Sequence, residues 1–260
     1  MPSTTGPRNC IFCEQKATSK EDAWPLWLVR RFPTPRGVRI GLRRRGFPFA
    51  DWQKARHGMT VRFVCRACNS GWMSQLEGRA KPIVERLLDD PRVTLNTTNQ
   101  TTLAAWTVKS AMVFEALRGH PNWFYADEDR RALRSTLAIP PRTHVWLAKC
   151  LALPGIYCNA TDHTESAHPT PDETRMYVTT LAFGTVALQA VTAKVPGSIP
   201  ESVRIEFNVH PGPWEQGTLS LWPVDTESLA WPPPLDLVGE PGLRALHTRW
   251  GEDPSNGVAV

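Results

Sequence analysis

Four cysteines in two closely spaced pairs constrain the fold of this chain more than any other feature. The first pair is Cys10 and Cys13, the second is Cys65 and Cys68, and two residues separate the members of each pair. This spacing allows a tight turn to direct both sulfurs at one ion, and two such turns complete the tetrahedral shell that a structural zinc prefers. We therefore predict a Zn²⁺ site formed by these four residues. The alternative is a set of buried thiols without a metal.

Positive charge is concentrated near the N-terminus. The net charge is +5, but residues 1–80 carry 15 Lys and Arg against 5 Asp and Glu, whereas residues 81–260 carry 15 against 20. Such asymmetry is typical of a surface that meets a polyanion, and guanidinium groups interleaved with aromatic rings suit nucleic acid. The candidate contacts are Arg30, Arg31, Arg36, Arg39, Arg43, Arg44, Arg45, Lys54 and Arg56. The alternative for this segment is a solvated basic face.

Several protein classes are disfavoured by what the chain lacks. It has no apolar run near the roughly 18 residues that span a bilayer, and residues 1–9 lack the apolar segment of a secretory signal. We therefore expect a soluble cytoplasmic protein with reduced cysteines and no membrane partner. Neither a phosphate-binding Gly-Lys-Ser/Thr loop nor a Gly-x-Ser-x-Gly motif occurs.

Apolar residues at three- and four-residue steps predict helices in the middle of the chain. One stripe runs from Trp72 to Leu87, with a break expected near Lys81 because Pro82 follows. A second helix is predicted over residues 101–118, with one inner face. Asp127 resembles the N-cap of a short third helix.

From His144 onward the pattern favours strands. Residues 176–183 and 185–195 flank Gly184 as a hairpin, residues 203–209 alternate strictly, 218–222 form another strand, and an irregular tail begins at Trp231. The absence of βαβ alternation argues against a doubly wound sheet. We therefore expect an α+β fold with three regions: a zinc module over 1–80, a helical segment over 81–143, and an antiparallel β-rich region with the irregular tail over 144–260.

The residues around the two cysteine pairs resemble the HNH (ββα-metal, treble-clef) endonuclease superfamily, and in particular its four-cysteine branch. The resemblance covers about residues 10–80 and rests on the first pair, on the Ser19-to-Leu28 segment, and on the Val64-to-Ser74 segment with its Cys68-Asn69 step. It implies a treble-clef zinc module and hydrolysis of DNA phosphodiester bonds with Mg²⁺ or Mn²⁺.

The resemblance also assigns roles to individual residues. Glu21 falls on a cation ligand, Asp22 falls on the family's first histidine, which is the general base, and Asn69 follows the second cysteine pair. The last cation ligand of the family falls near Trp72, which has no ligating atom. His57, eight residues before Cys65, is an alternative base.

Structural alternatives stand beside each of these roles. Asp22 lies just before Ala23-Trp24-Pro25 and resembles a helix N-cap. Asn69 resembles a link between the second cysteine pair and its helix, and Glu21 resembles a solvated surface acid. His57 has the alternative of an ordinary strand or loop residue. At the level of function, the alternatives to an endonuclease are an inactive zinc scaffold that binds DNA and a protein-interaction module.

A second group of possible ligands lies further along the chain. It consists of Cys150, Cys158, His144, Asp162, His163 and His168. Its spacing matches no usual metal-ligand pattern, so we favour core cysteines and loop histidines over a second metal site.

Overall fold

The computed structural model describes residues 9–32, 38–44, 50–54, 60–117, 123–153, 155–164, 173–195, 197 and 212–250, with side chains excluded over 38–61 and at 164. The strands are β1 (Ser19–Asp22), β2 (Val38–Arg44), β3 (Ala50–Lys54), β4 (Thr60–Val64), β5 (Val93–Asn96), β6 (Thr143–Leu151), β7 (Ile156–Thr164), β8 (Arg175–Phe183), β9 (Val186–Lys194), β10 (Leu219–Trp222), β11 (Ser228–Trp231) and β12 (Leu237–Val238). The helices are α1 (Leu26–Arg31), α2 (Arg66–Cys68), α3 (Ser74–Asp89), α4 (Thr97–Leu117), α5 (Asp127–Thr136), α6 (Trp214–Gly217) and α7 (Gly239–Thr248). The predicted α+β class is confirmed.

The largest sheet is mixed in direction. Within the described residues it holds eight strands, in the order β10-β6-β9-β8-β7-β2-β3 with β12 also paired to β6. The predicted hairpin on either side of Gly184 is present, but β2 pairs with β7 in parallel, and so does β12 with β6. The sheet therefore differs from the expected antiparallel region, and it includes two strands from within residues 1–80.

Both faces of this sheet are covered. The curled sheet packs one face on α4, which also contacts α3, α5 and β4, and it packs the other face on α7. Strands buried on both faces carry apolar residues without alternation, as β8 and β9 do. Helix α7 and strand β12 occupy the segment for which an irregular tail was expected.

The helices follow the sequence pattern with two corrections. Helix α3 continues through Pro82, and the non-helical backbone lies instead at Gly71, in the π-helical turn Asn69–Met73 that precedes it. Because proline has no N–H, Pro82 leaves the carbonyl of Gly78 without its usual donor. Both residues are exposed, so water can donate a hydrogen bond to that carbonyl. The N-cap of α5 is Ala126, and Asp129 accepts a hydrogen bond from its N–H at 2.9 Å; Asp127 is the first helical residue.

Helix α4 is buried on nearly every side and not on one face alone. Its buried residues include Lys109 and Glu115 as well as apolar ones such as Leu103, Trp106 and Val113. The described helices all fall short of the length or the apolarity needed to cross a lipid bilayer. The strand predicted over residues 203–209 lies outside the described residues.

Candidate metal centre and acidic pocket

The four N-terminal cysteines converge on one point. Their sulfur atoms all lie within 4.8 Å of one another, and three of the residues are buried. The Sγ of Cys13 is 3.6 Å from that of Cys65 and 3.7 Å from that of Cys68. Tetrahedral Zn–S bonds of about 2.3 Å place sulfurs about 3.8 Å apart, so the cluster has the size that Zn²⁺ requires. Four thiolates are also the donor set that a structural zinc favours.

Short backbone turns hold each pair in place. The N–H of Cys13 donates to the carbonyl of Cys10 at 3.2 Å, and the N–H of Cys68 donates to the Sγ of Cys65 at 3.3 Å. The Ile11 N–H donates to the Phe63 carbonyl at 2.8 Å, which joins the first turn to β4. These bonds explain how two pairs that are 51 residues apart in the chain come together.

The thiols differ in acidity. Burial raises the pKa of Cys10 and Cys68 above the usual range. Burial also acts on Cys65, but the Cys68 N–H and the neighbouring thiols outweigh it and lower its pKa. Only thiolates bind zinc, so a bound cation has to supply the stabilisation that the buried thiolates lack.

Strand β1 brings two carboxylates to a pocket beside this centre. It pairs antiparallel with β4, whose end leads into the second cysteine pair and then into α3. A cavity of about 200 Å³ opens between β1, α1 and the start of α3. Its lining residues are Lys20, Glu21, Asp22, Pro25, Leu26, Asn69, Met73, Ser74 and Glu77. Three of the four predicted catalytic residues, Glu21, Asp22 and Asn69, therefore line one pocket.

Glu21 is a buried acid and not a solvated one. Only 8% of its surface is exposed, and its Oε1 lies 3.8 Å from the Nζ of Lys109, which is itself buried on α4. Burial raises the pKa of Glu21 to about 7, the nearby Lys109 opposes this increase, and the carboxylates of Glu77 and Asp22 add to it. Lys109 and Glu77 were not predicted, because only their place in the fold brings them to Glu21.

The positions of Asp22 and Asn69 also bear on the structural alternatives given for these two residues. Asp22 ends β1 and is half-buried, and the N-cap position of α1 is taken by Pro25 without a side-chain bond, so the N-cap interpretation of Asp22 is wrong. The Nδ2 of Asn69 donates to the Oγ of Ser19 at 2.7 Å and to the carbonyl of Lys20 at 3.0 Å. Asn69 thus ties the second cysteine pair to β1 while it lines the pocket.

Trp72, near the family's last ligand position, has a packing role. Its ring meets that of Phe12 edge-on, with centroids 5.0 Å apart. The contact joins the first cysteine turn to the start of the helical segment. Glu77 supplies a carboxylate to the pocket from the following turn of helix.

The predicted nucleic-acid contacts are only partly described. Arg30 and Arg31 are exposed on α1, and Arg31 pairs with Asp89 at the end of α3. Arg39, Arg43 and Arg44 lie on β2 and Lys54 lies on β3, but their side chains are not described. Arg36, Arg45, Arg56 and the predicted alternative base His57 lie outside the described residues.

The second possible ligand group does not form a metal site in the described part of the chain, where the four N-terminal cysteines are the only such cluster found. Cys150 and Cys158 are buried in β6 and β7, as the core interpretation predicts. Burial raises the pKa of both thiols. His168 lies outside the described residues.

Comparison of the whole chain with protein-family models, with curated proteins and with solved structures found no match in any of the three. The candidate site therefore stands on its own geometry: a four-sulfur centre suited to a metal ion such as zinc, and a neighbouring pocket rich in carboxylates.

The Glu21→Gln variant is expected to remove a pH dependence of stability. The folded-state pKa of Glu21, about 7, exceeds its unfolded value of 4.5, so the folded state retains a proton that the unfolded state has lost. The contribution to stability is complete below 4.5 and is lost as the pH rises to about 7, a change of about 3 kcal/mol. Urea unfolding between pH 5.5 and 8, without added divalent cation, measures about 2 kcal/mol of this change.

The control is Glu85→Gln, which changes a half-buried acid on the same helix as Glu77. Acid release of zinc affects both variants equally, so only the difference between them reports on Glu21. Equal pH slopes in the parent and in Glu21→Gln would contradict the assignment.

Proposed function

We propose that this chain is a zinc-stabilised, HNH-like nucleic-acid-binding protein that hydrolyses DNA phosphodiester bonds with the help of Mg²⁺ or Mn²⁺. In this proposal the four cysteines form a treble-clef module, and the adjacent pocket is the active centre. The single observation that carries the proposal is the meeting of Glu21, Asp22 and Asn69 in one cavity next to the cysteine cluster.

The order of elements supports the proposal. Two antiparallel strands, β1 and β4, are followed by a helical segment, and the acids end the first strand while Asn69 begins that segment. This is the ββα order that the resemblance implies. The cysteine cluster fixes both strands relative to the helices, so the pocket is held by bonds on two sides.

The pocket suits a hard divalent cation. The oxygen atoms of Glu21, Asp22 and Glu77 are the donors that Mg²⁺ and Mn²⁺ favour. Among the described residues they do not form a group as compact as the four cysteines. Magnesium usually keeps several water ligands and takes one or two protein carboxylates, which matches this wider arrangement. Such a cation stabilises negative charge on the phosphate and on the leaving oxygen.

The chain's own residues supply the remaining steps. A carboxylate oxygen of Asp22, at the position of the family's general base, takes a proton from the attacking water. Lys109 holds Glu21 in place through their buried ion pair. Asn69 fixes the start of β1, the strand that carries both acids, through its bonds to Ser19 and Lys20.

The basic N-terminal segment provides the surface for DNA. Leu26 lines the pocket, and Arg30 lies four residues later on α1, on the same face of the helix. An exposed guanidinium at this place can bind a phosphate beside the one that reacts. Strand β2 contributes three further arginines to the basic segment, Arg39, Arg43 and Arg44.

A plasmid-nicking assay with Mg²⁺ or Mn²⁺ tests the activity. Glu21→Gln and Asp22→Asn are each expected to lower the cleavage rate by about 100-fold or more, because each removes a charged group from the active centre. Glu85→Gln, a matched loss of one carboxylate outside the pocket, should cleave at the parent rate. Zinc content shows that each variant retains its fold. Parent-level cleavage by both pocket variants would exclude this site.

An inactive DNA-binding scaffold is the second candidate, favoured by the aspartate at the family's histidine position and by Trp72 at its last ligand position. Titration of the same plasmid at 50 and 200 mM salt, without cleavage conditions, separates the two. Salt-dependent binding without nicking by the parent supports the scaffold, whereas nicking that depends on Glu21 and Asp22 supports the enzyme.

A further inference from the structure

A second, larger cavity lies in the C-terminal half of the chain. Its volume is about 500 Å³, within the range of small-molecule sites. It is formed by α6, by strands β6 and β10, and by the residues that follow α7. Its lining includes Trp146, Trp214, Glu215, Arg249 and Trp250. None of these residues belongs to the cysteine cluster or to the acidic pocket.

A buried arginine surrounded by three indole rings forms one wall of this cavity. Arg249 is only 3% exposed. The carbon of its guanidinium lies 4.4 Å from the ring centroid of Trp250, 4.7 Å from that of Trp146 and 5.4 Å from that of Trp214. These distances are those of cation–π contacts, which offset part of the free energy of burying the charge.

Two of the three guanidinium nitrogens of Arg249 have no hydrogen-bond partner in the described part of the chain. Its Nε and Nη2 are shielded from water and have no hydrogen-bond partner. Burial alone lowers the pKa of Arg249 to about 9, so the side chain is still charged at pH 7. Among the described residues no ion pair is formed by Arg249, and a buried guanidinium with two unsatisfied nitrogens is a costly arrangement unless a ligand completes it.

The two unsatisfied nitrogens define the chemistry of that ligand. Nε and Nη2 form one edge of the guanidinium, and their parallel N–H bonds match two oxygens of a carboxylate or a phosphate. The indole faces offer stacking surfaces for a planar ring. Thr218, Ser220 and Gln216 supply polar groups along the same wall.

We propose that this cavity binds a small planar aromatic molecule that carries one anionic group, with the anion on Arg249 and the ring against the tryptophans. This site is independent of the proposed nuclease centre. A ring that binds against the indoles changes the environment of these tryptophan side chains, so binding is visible in their fluorescence.

Titration of the full chain with four probes tests the proposal. Adenosine 5′-monophosphate and indole-3-acetate each combine a ring with an anion, whereas adenosine and ribose 5-phosphate each have only one of the two. At least one of the combined probes is expected to bind about 10-fold or more tightly than either half-probe. Tighter binding of the nucleotide assigns a phosphate ligand, and tighter binding of indole-3-acetate assigns a carboxylate ligand.

Variants link the binding to the cavity. Arg249→Gln is expected to weaken it by 10-fold or more, while Arg244→Gln, which removes an exposed arginine from the preceding helix α7, leaves it unchanged. Because Arg249 is buried, Trp214→Leu provides a second test at a half-buried wall residue. The proposal is overturned if neither combined probe binds at 1 mM, or if Arg249→Gln and Trp214→Leu both bind as the parent does.

Discussion

The Cys68→Ser variant is expected to lose its metal and to unfold in the N-terminal part of the chain. The parent should carry about one zinc per chain, held by four sulfurs that already have the required spacing. Structural zinc sites contribute on the order of 10 kcal/mol, which is comparable to the whole stability of a typical domain. Metal analysis after gel filtration and limited proteolysis of residues 9–80 measure the two effects. A metal chelator should produce the same proteolysis pattern in the parent.

The matched control is Cys150→Ser, since Cys150 is equally buried but lies in β6, outside the cluster. This variant should keep its zinc and its protease-resistant N-terminal part. Zinc content that stays at the parent level in Cys68→Ser, or a metal-free parent after gentle purification, would contradict the metal centre.

The Glu115→Ala variant is expected to lose about 4 kcal/mol of unfolding free energy. Arg130 is fully buried on α5, and its Nη2 donates to the Oε2 of Glu115 at 2.6 Å. The Phe124 N–H donates to the other carboxylate oxygen, and the Arg130 guanidinium lies 4.2 Å from the ring centroid of Trp123. Removal of the carboxylate leaves a buried positive charge and a buried N–H without an acceptor, and urea unfolding measures the loss.

A double variant separates the ion pair from simple loss of packing. Glu115→Gln with Arg130→Met keeps an acceptor for the Phe124 N–H and removes both charges, so it should recover most of the lost stability. If the double variant is as unstable as Glu115→Ala, packing and not the unpaired charge accounts for the effect.

Local features of the fold could be predicted from the sequence, whereas its long-range pairings could not. Cysteine spacing and the apolar runs on both sides of Gly184 are local signals, and the thiol cluster and the β8–β9 hairpin follow from them. The parallel pairing of β2 with β7 joins segments that are far apart in the sequence, and neither segment contains a local signal that predicts it. The helix break predicted near Pro82 is absent, because a helix tolerates proline where the carbonyl that loses its hydrogen bond is open to water.

The residues of the candidate pocket also fall into those that the sequence indicates and those that it does not. Glu21, Asp22 and Asn69 were identified through their motif, and they meet in the cavity. Lys109 and Glu77 were missed because an isolated charge on a helix gives no sign of the group it will face. Arg249 was missed for a related reason: its three tryptophan neighbours come from three separate segments of the chain.

The β2–β7 pairing also affects the order of events during synthesis on the ribosome. Arg39 in β2 can pair with Tyr157 only after 118 further residues have been translated. At roughly 5–20 residues per second this delay is about 6 to 24 s. During that time one edge of the β2–β3 hairpin has no neighbouring strand to bond. Both cysteine pairs are translated before Tyr157. Early zinc capture would anchor the nascent segment on both sides of that edge and so limit its pairing with other chains.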